Sequence, residues 1–186
     1  MYNIFVTGHT SGIGKAIYDH LDSQGYHVEG GSRSNNWDIT KETTANYIKD
    51  KFDVLINNAY HSDGQVKLLK NVYNGWQKKK KTIINIGSWH KDHLSGRPFS
   101  SLNYNVDKKA LETYSFWIAA NDDTCRSMMY NVGFVDTPTS RKHMDGWSEE
   151  KQKEVLTRCM DPKVIARTIQ FMIENEYNIK ELTHHA

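Results

Sequence analysis

The sequence predicts an α/β chain: a doubly wound parallel sheet with helices on both faces, forming a three-layer α/β/α domain. Three observations carry this expectation. A short β-prone run, Ile4-Phe5-Val6, enters a glycine-rich turn and then a stretch with helical spacing of apolar residues. Further apolar runs alternate with helical patterns along the chain, and repeated β then α implies parallel strands joined by helical crossovers. Thr82-Ile83-Ile84-Asn85-Ile86 is a β-branched run of the kind found in a strand buried on both faces.

The first strand leads into Thr7-Gly8-His9-Thr10-Ser11-Gly12-Ile13-Gly14, and the helix that follows starts at Lys15-Ala16-Ile17. Gly25 marks its end, and Tyr26-His27-Val28 opens a second strand that runs to Gly30-Gly31. Thr40-Lys41-Glu42-Thr43 signals a helix start with polar and acidic capping residues, and that helix runs to Lys51 before a strand over 52–56. A helix over about 66–76 precedes the 82–86 strand, another spans about 104–120, and 128–132 is a further strand. Asp161 as cap and Pro162 at the first helical position start a final helix over 162–173, after which 178–183 can form a last strand.

Composition is consistent with one domain. In 186 residues, 38% are hydrophobic and 25% charged, and such a length buries roughly 70% of its unfolded surface without staples. No repeat, low-complexity segment or Pro/Gly linker divides the chain, so 1–186 is read as a single unit. Basic and acidic side chains number 24 and 22, for a net charge of +2, which argues against a nucleic-acid partner. The run from Lys78 to Lys81 lies between a helix and a buried strand, where a solvated turn is expected. Cys125 and Cys159 have no partner spacing for a disulfide framework or a metal, so no metal site is expected and a reducing cytoplasm fits. No apolar stretch is long enough for a membrane span.

A strand that ends in glycines before a helix presents backbone N–H groups at the positive end of the helix dipole, which suits a pyrophosphate. Thr7-Gly8-x-x-x-Gly12-Ile13-Gly14 resembles the TGxxxGIG signature of the short-chain dehydrogenases/reductases. The resemblance continues in order along the chain. Asn57-Asn58-Ala59 is similar to that family's NNAG motif, with Tyr60 in place of the glycine. Ser88 falls where the family has its catalytic serine, Tyr104 to Lys108 matches YxxxK, and Asn131-Val132-Gly133-Phe134-Val135-Asp136-Thr137 resembles its NPGxVxT segment.

The resemblance implies a Rossmann-like oxidoreductase that exchanges hydride between a nicotinamide and a small carbonyl or alcohol. The cofactor-binding positions it carries over are Gly8, Thr10, Ser11, Gly12, Ile13, Gly14, Arg33, Asp38, Asn57, Asn58, Ala59, Tyr104, Lys108, Gly133, Val135 and Thr137. After the second strand of such folds an acidic residue reads the ribose 2′-OH of NAD, whereas an arginine pairs with the 2′-phosphate of NADP. Here Arg33 follows Gly31-Ser32, while Glu29 is expected within the strand, so NADP(H) is favoured over NAD(H). Asp38 is similar to the family's adenine-contacting Asp; a plain helix-entry acid is the competing reading.

A tyrosine with a pKa of about 10 needs help to act near neutrality. Lys108, four residues after Tyr104 on the same helix face, is expected to lower that pKa by Coulombic attraction, making Tyr104 the acid/base. Ser88 is expected to hydrogen-bond the substrate oxygen. As implied by the family, Lys108 also holds the nicotinamide ribose. His90 and His93 are an alternative acid/base pair in a polar loop.

The sequence departs from the family between Asn58 and Ser88, which is too brief for the full helix that carries a fourth catalytic residue, an asparagine. Asn71 is only a weak substitute. The departure puts in question a proton-relay water and the helix surface through which relatives form homodimers and homotetramers. Val132 replaces the family's proline. The stretch 138–151 corresponds to the family's substrate loop, which closes over the ligand. Trp89, Tyr60 and Trp147 are candidates for an aromatic substrate wall. The alternative from a different class is a catalytically weak dinucleotide-binding sensor or interaction protein. A sugar-nucleotide epimerase or dehydratase is disfavoured, because such proteins carry a larger C-terminal region.

Overall fold

The computed structural model describes residues 2–92 and 101–184. Six parallel strands form one sheet: β1 (Asn3–Thr7), β2 (His27–Gly31), β3 (Val54–Asn57), β4 (Thr82–Ser88), β5 (Arg126–Val132) and β6 (Glu181–His184), in the spatial order β2-β1-β3-β4-β5-β6. The helices are α1 (Gly12–Ser23), α2 (Glu42–Lys51), α3 (Gly64–Trp76), α4 (Leu102–Asn121), α5 (Pro138–Lys142), α6 (Glu149–Leu156) and α7 (Pro162–Glu174). The chain passes from β1 to β2 on one side and then to β3 on the other. This reversal opens a crevice at the carboxyl end of β1 and β3, where ligands bind in doubly wound sheets.

Strand side chains alternate between two apolar layers. Ile4, Val6, Ile56, Ile84 and Met128 pack with Ile17 and Leu21 of α1 and Ile165 and Ile169 of α7. Phe5, Leu55, Ile83 and Met129 point the other way, onto Ile48 of α2, Leu69 and Trp76 of α3 and Leu111 of α4. Covering both faces is why these strands read as unbroken apolar runs; every residue of β4 is buried.

Local signals explain most element ends. Gly25, at φ +82°, reverses the chain after α1. The Asp161 carboxylate accepts from the Lys163 N–H at 2.8 Å, and Pro162 starts α7. The α2 start differs from expectation. Its cap position is Lys41, whose side chain makes no capping bond, while the Thr40 hydroxyl is turned back to Asp38 at 2.7 Å. Phe52 caps the end of α2 and packs in the core, so β3 begins at Val54.

The stretch 138–151 contains α5 and the start of α6. Thr137 and Ser140 form a reciprocal capping box, the Ser148 hydroxyl caps α6, and Met144 is buried between them. The lysine run is a turn: the Lys78 N–H donates to Asp122 at 2.9 Å, and Lys81 pairs with Asp53 at 2.8 Å. Both cysteines are free. No helix among the described residues is long and apolar enough to cross a membrane.

Candidate active site

The ends of β1 and β3 are tied together. The Thr7 hydroxyl accepts from the backbone N–H groups of Asn58 (2.8 Å) and Ala59 (2.9 Å), and Asn58 Nδ2 donates to the Thr7 carbonyl at 2.9 Å. The Gly8 N–H donates to the Gly31 carbonyl at 2.7 Å, which joins the turn to β2. Gly8 and Gly12 have φ of +73° and +55°. Gly14 packs so closely on the turn that a Cβ there would lie 2.2 Å from the Gly8 carbonyl oxygen. The Ser11 side chain makes no capping bond, so the first N–H groups of α1 are left for an acceptor at the mouth of the crevice.

The crevice is a cleft of about 1110 Å³, above the ~300–1,000 Å³ of ordinary small-molecule sites, as an extended ligand requires. Gly8, Thr10, Ser11, Gly12, Ile13, Arg33, Asp38, Asn58, Ala59, Ser88, Tyr104, Gly133, Val135 and Thr137 all line it. A Cβ at Gly12 would touch Thr137 at 3.4 Å, so the first turn and the segment after β5 face each other. Three residues expected to bind cofactor do not open onto it. Gly14 backs the turn. Asn57 is fully buried, donating to the Gln65 carbonyl (3.0 Å) and to Asn85 Oδ1 (2.9 Å). Lys108, 3% exposed, lies beneath the cleft floor.

At one end of the cleft, Arg33 sits in a 3-10 turn, Arg33–Asn35, directly after β2. It is exposed and makes no ion pair among the described residues. Glu29 lies within β2 and accepts from the Tyr47 hydroxyl at 2.8 Å, so its carboxylate is engaged away from the strand's carboxyl end. Asp38 accepts from the Thr40 N–H and hydroxyl, and these bonds hold its carboxyl below the usual range. It lines the cleft and also shapes the approach to α2.

At the other end, Ser88 terminates β4, and its hydroxyl accepts from the His90 N–H at 3.2 Å. The Ser88 and Tyr104 side chains line the same cleft, and Ser88 is near enough to favour the Tyr104 phenolate. Tyr104 enters on the first turn of α4, where its N–H donates to the capping Ser101 hydroxyl. Tyr60 closes in from β3: its ring meets that of Tyr104 edge-on at 4.9 Å, and its hydroxyl donates to Asp107 at 2.9 Å. Burial and Asp107 push the Tyr60 phenol up to about 12.

The expected acidification of Tyr104 is not what the structure shows. Burial raises the Tyr104 pKa, the nearby Ser88 hydroxyl opposes this, and Lys108 exerts no resolved pull. The reason is geometric. The Lys108 ammonium donates to Gln65 Oε1 at 2.7 Å and to the Ile86 carbonyl at 2.8 Å, 5.5 Å from the Tyr104 ring centre. Burial lowers the Lys108 pKa to about 7, with Asp107 opposing.

That shift fixes a sign. The unfolded chain keeps the Lys108 proton up to its ordinary pKa of 10.5, whereas the folded chain releases it near about 7. In that interval the unfolded state binds more protons, so stability rises with pH. Relative to Lys108→Met, the parent's urea midpoint is expected to climb from about pH 7 towards pH 10; parallel curves would contradict the assignment.

Several placements were not legible. Gln65 heads the buried stripe of α3 that continues through Leu68, Leu69 and Val72, and a polar residue in that register was the available signal. His143, His90 and Tyr60 line the cleft, whereas Trp89 and Trp147 do not. Asn71 does not line it either. His93 lies outside the described residues. No cluster of His, Cys, Asp or Glu suited to a metal occurs among the described residues.

No family model matches the chain. No curated protein matches it in sequence. Solved structures share its fold over nearly the whole length. ElxO with NADP bound is 23% identical, with a TM-score of 0.80 over 98% of this chain and 97% of its own. A variant of actinorhodin polyketide ketoreductase with NADPH is 17% identical, with a TM-score of 0.76 over 97% and 94%. The 3-ketoacyl-(acyl-carrier-protein) reductase from Brucella melitensis, complexed with NADH, is 15% identical, with a TM-score of 0.78 over 98% and 96%. The fold is therefore the Rossmann-like one that those dinucleotide complexes adopt.

Proposed function

We propose that this chain is a compact NADP(H)-dependent oxidoreductase of the short-chain dehydrogenase/reductase type, acting on a small carbonyl or alcohol. The observation that carries the reading is convergence: Ser88 at the end of β4 and Tyr104 on the first turn of α4 both line the cleft that begins at the glycine turn. The residues present fit a dinucleotide. Thr10, Ser11, Gly12 and Ile13 would hold the pyrophosphate against the start of α1, and Gly133, Val135 and Thr137 would flank the nicotinamide side. The bound nicotinamide supplies or accepts the hydride.

The chain's own residues supply the rest. Because its pKa is raised, Tyr104 is protonated through the neutral range and donates its proton to a carbonyl oxygen as that oxygen gains charge. Ser88 donates a hydrogen bond to the same oxygen. The Lys108 ammonium, 5.5 Å from the Tyr104 ring centre, would support the phenolate once it forms. Tyr60 and His90 border the substrate end, and the 138–151 segment, with α5 and the start of α6, closes over it.

Arg33 is the 2′-phosphate reader. A charge-assisted guanidinium–phosphate pair contributes about 1.5–3 kcal/mol, so Arg33→Ala is expected to weaken NADPH binding roughly 10- to 100-fold and leave NADH unchanged. Fluorescence titration of both cofactors checks this, and equal losses for both would refute the assignment. Turnover of a carbonyl and alcohol panel tests the reaction class. The weak-sensor alternative is favoured by one feature, the engagement of Lys108 by Gln65 and Ile86 beneath the cleft; it predicts NADPH binding without turnover.

A further inference from the structure

We propose that Gln65 is a positioning residue for Lys108, a neutral side-chain carbonyl on α3 that fixes the ammonium's direction from outside the helix carrying it. The proposal rests on the oxidoreductase reading above and deepens it.

A lysine ammonium has three N–H donors. In this structure Gln65 Oε1 accepts one at 2.7 Å, and the Ile86 carbonyl accepts a second at 2.8 Å. The remaining donor is left for the tyrosine side, where the Tyr104 and Tyr60 ring centres lie 5.5 and 5.6 Å from the nitrogen.

The orientation of the Gln65 amide is determined by its other partners. Nε2 donates to the Asn57 carbonyl at 2.8 Å and to the Ile86 carbonyl at 3.3 Å. A flipped amide would set its carbonyl oxygen against those two carbonyls and its NH₂ against the ammonium, losing the three bonds the amide makes. Asn57 in turn donates to the Gln65 backbone carbonyl at 3.0 Å and to Asn85 at 2.9 Å. Asn85 donates onward to Ser115 on α4 at 3.3 Å, and Ser115 bonds Ser127 on β5 at 2.9 Å. Gln65 is thus one member of a buried polar network spanning β3, β4, β5 and α4, which makes its carbonyl a rigid acceptor.

The choice of an amide has a chemical consequence. A carboxylate at this point would neutralise the ammonium and hold its proton; an apolar residue would leave a donor unpaired. Glutamine satisfies the donor and leaves the charge free to respond to the phenolate. The other groups around Lys108 do not take over this role. On α4, Asp107 accepts from Tyr60, and Glu112 is ion-paired with Lys109 and with Lys91 of the turn after β4. Tyr60 and Tyr104 are the titratable groups towards the cleft. α3 offers no charged side chain in the buried register of Gln65, and β4 offers only the Ile86 carbonyl.

The test reads Lys108 itself, in the full chain without cofactor. Lysine is labelled with ¹³C at Cε, Lys108 is assigned by the signal lost in Lys108→Arg, and its titration is followed by NMR in the parent, Gln65→Glu and Gln65→Met. An opposite charge at this range moves a pKa by about 1–3 units, so Gln65→Glu is expected to raise the midpoint by about that much and Gln65→Met to lower it. The pH profile of kcat should move with it. Gln65→Glu keeps the side-chain length but loses the Nε2 donor to the Asn57 and Ile86 carbonyls, and Gln65→Met loses the acceptor as well, so thermal midpoints accompany both and the variant that folds decides the test. An unmoved Lys108 midpoint in folded Gln65→Glu overturns the proposal. A parent that binds no NADPH overturns instead the oxidoreductase reading, and a separate fluorescence titration decides that point.

Discussion

Tyr104→Phe is expected to abolish measurable reduction, with a loss of about 10²–10⁴ in kcat, while NADPH affinity changes by no more than about twofold. The substitution removes one hydroxyl and little else. Tyr104 lines the cleft wall, its backbone N–H keeps its bond to the Ser101 hydroxyl, and its ring remains to meet Tyr60. A raised phenol pKa means the proton is in place at neutral pH, so the lost function is donation to the carbonyl oxygen. Ser88→Ala, which removes only a hydrogen-bond donor to that oxygen, should cost less, about 10²–10³. Steady-state rates on the best substrate of the panel, with thermal midpoints as the folding control, check both. Tyr104→Phe turning over as fast as the parent would remove the proposed mechanism.

The second large effect is on the fold. Gly14→Ala is expected to cost about 3 kcal/mol, at the upper end of the range for overpacking, and to lower Tm by roughly 6–12 °C in a chain of this size. The new Cβ would lie 2.2 Å from the Gly8 carbonyl oxygen, 2.7 Å from its carbon and 2.6 Å from Asn58 Nδ2. Two of these atoms belong to the turn's backbone and the third holds Thr7, so none moves without opening the knot between β1 and β3. Gly25→Ala is the contrasting case. No atom lies within 4 Å of its added Cβ, and only the φ of +82° is strained, so about 1 kcal/mol is expected. Differential scanning calorimetry of the two variants separates crowding from backbone strain; equal losses would contradict the packing described for the turn.

The parallel sheet was legible because its causes are local and repeated. β4 reads as buried on both faces from its own residues, and α7 announces its start in Asp161 and Pro162. The glycine turn likewise follows from what glycine permits. The 138–151 segment read as a loop because its two helices are short and held by capping hydroxyls and one buried methionine, Met144, with little periodicity to find.

The site was legible as a set of positions, less so as chemistry. Sequence spacing placed Tyr104 and Lys108 on one helix face, but it could not show that the Lys108 ammonium turns towards Gln65 and the Ile86 carbonyl, two partners distant in sequence. Asn57 matches a motif, and the register that ends β3 buries its side chain beside Asn85, which spacing alone does not reveal. Tyr60 replaces a glycine of the resembled motif, and its exposed ring meets Tyr104 of α4 edge-on, 5.6 Å from Lys108 Nζ.

A crystal structure of the chain soaked with NADP⁺ tests the central claim most directly. The account predicts the pyrophosphate against residues 10–13, the 2′-phosphate at Arg33, and the nicotinamide between Ser88, Tyr104 and the segment after β5. A dinucleotide seated anywhere else, or no density for it at a saturating concentration, would contradict the account.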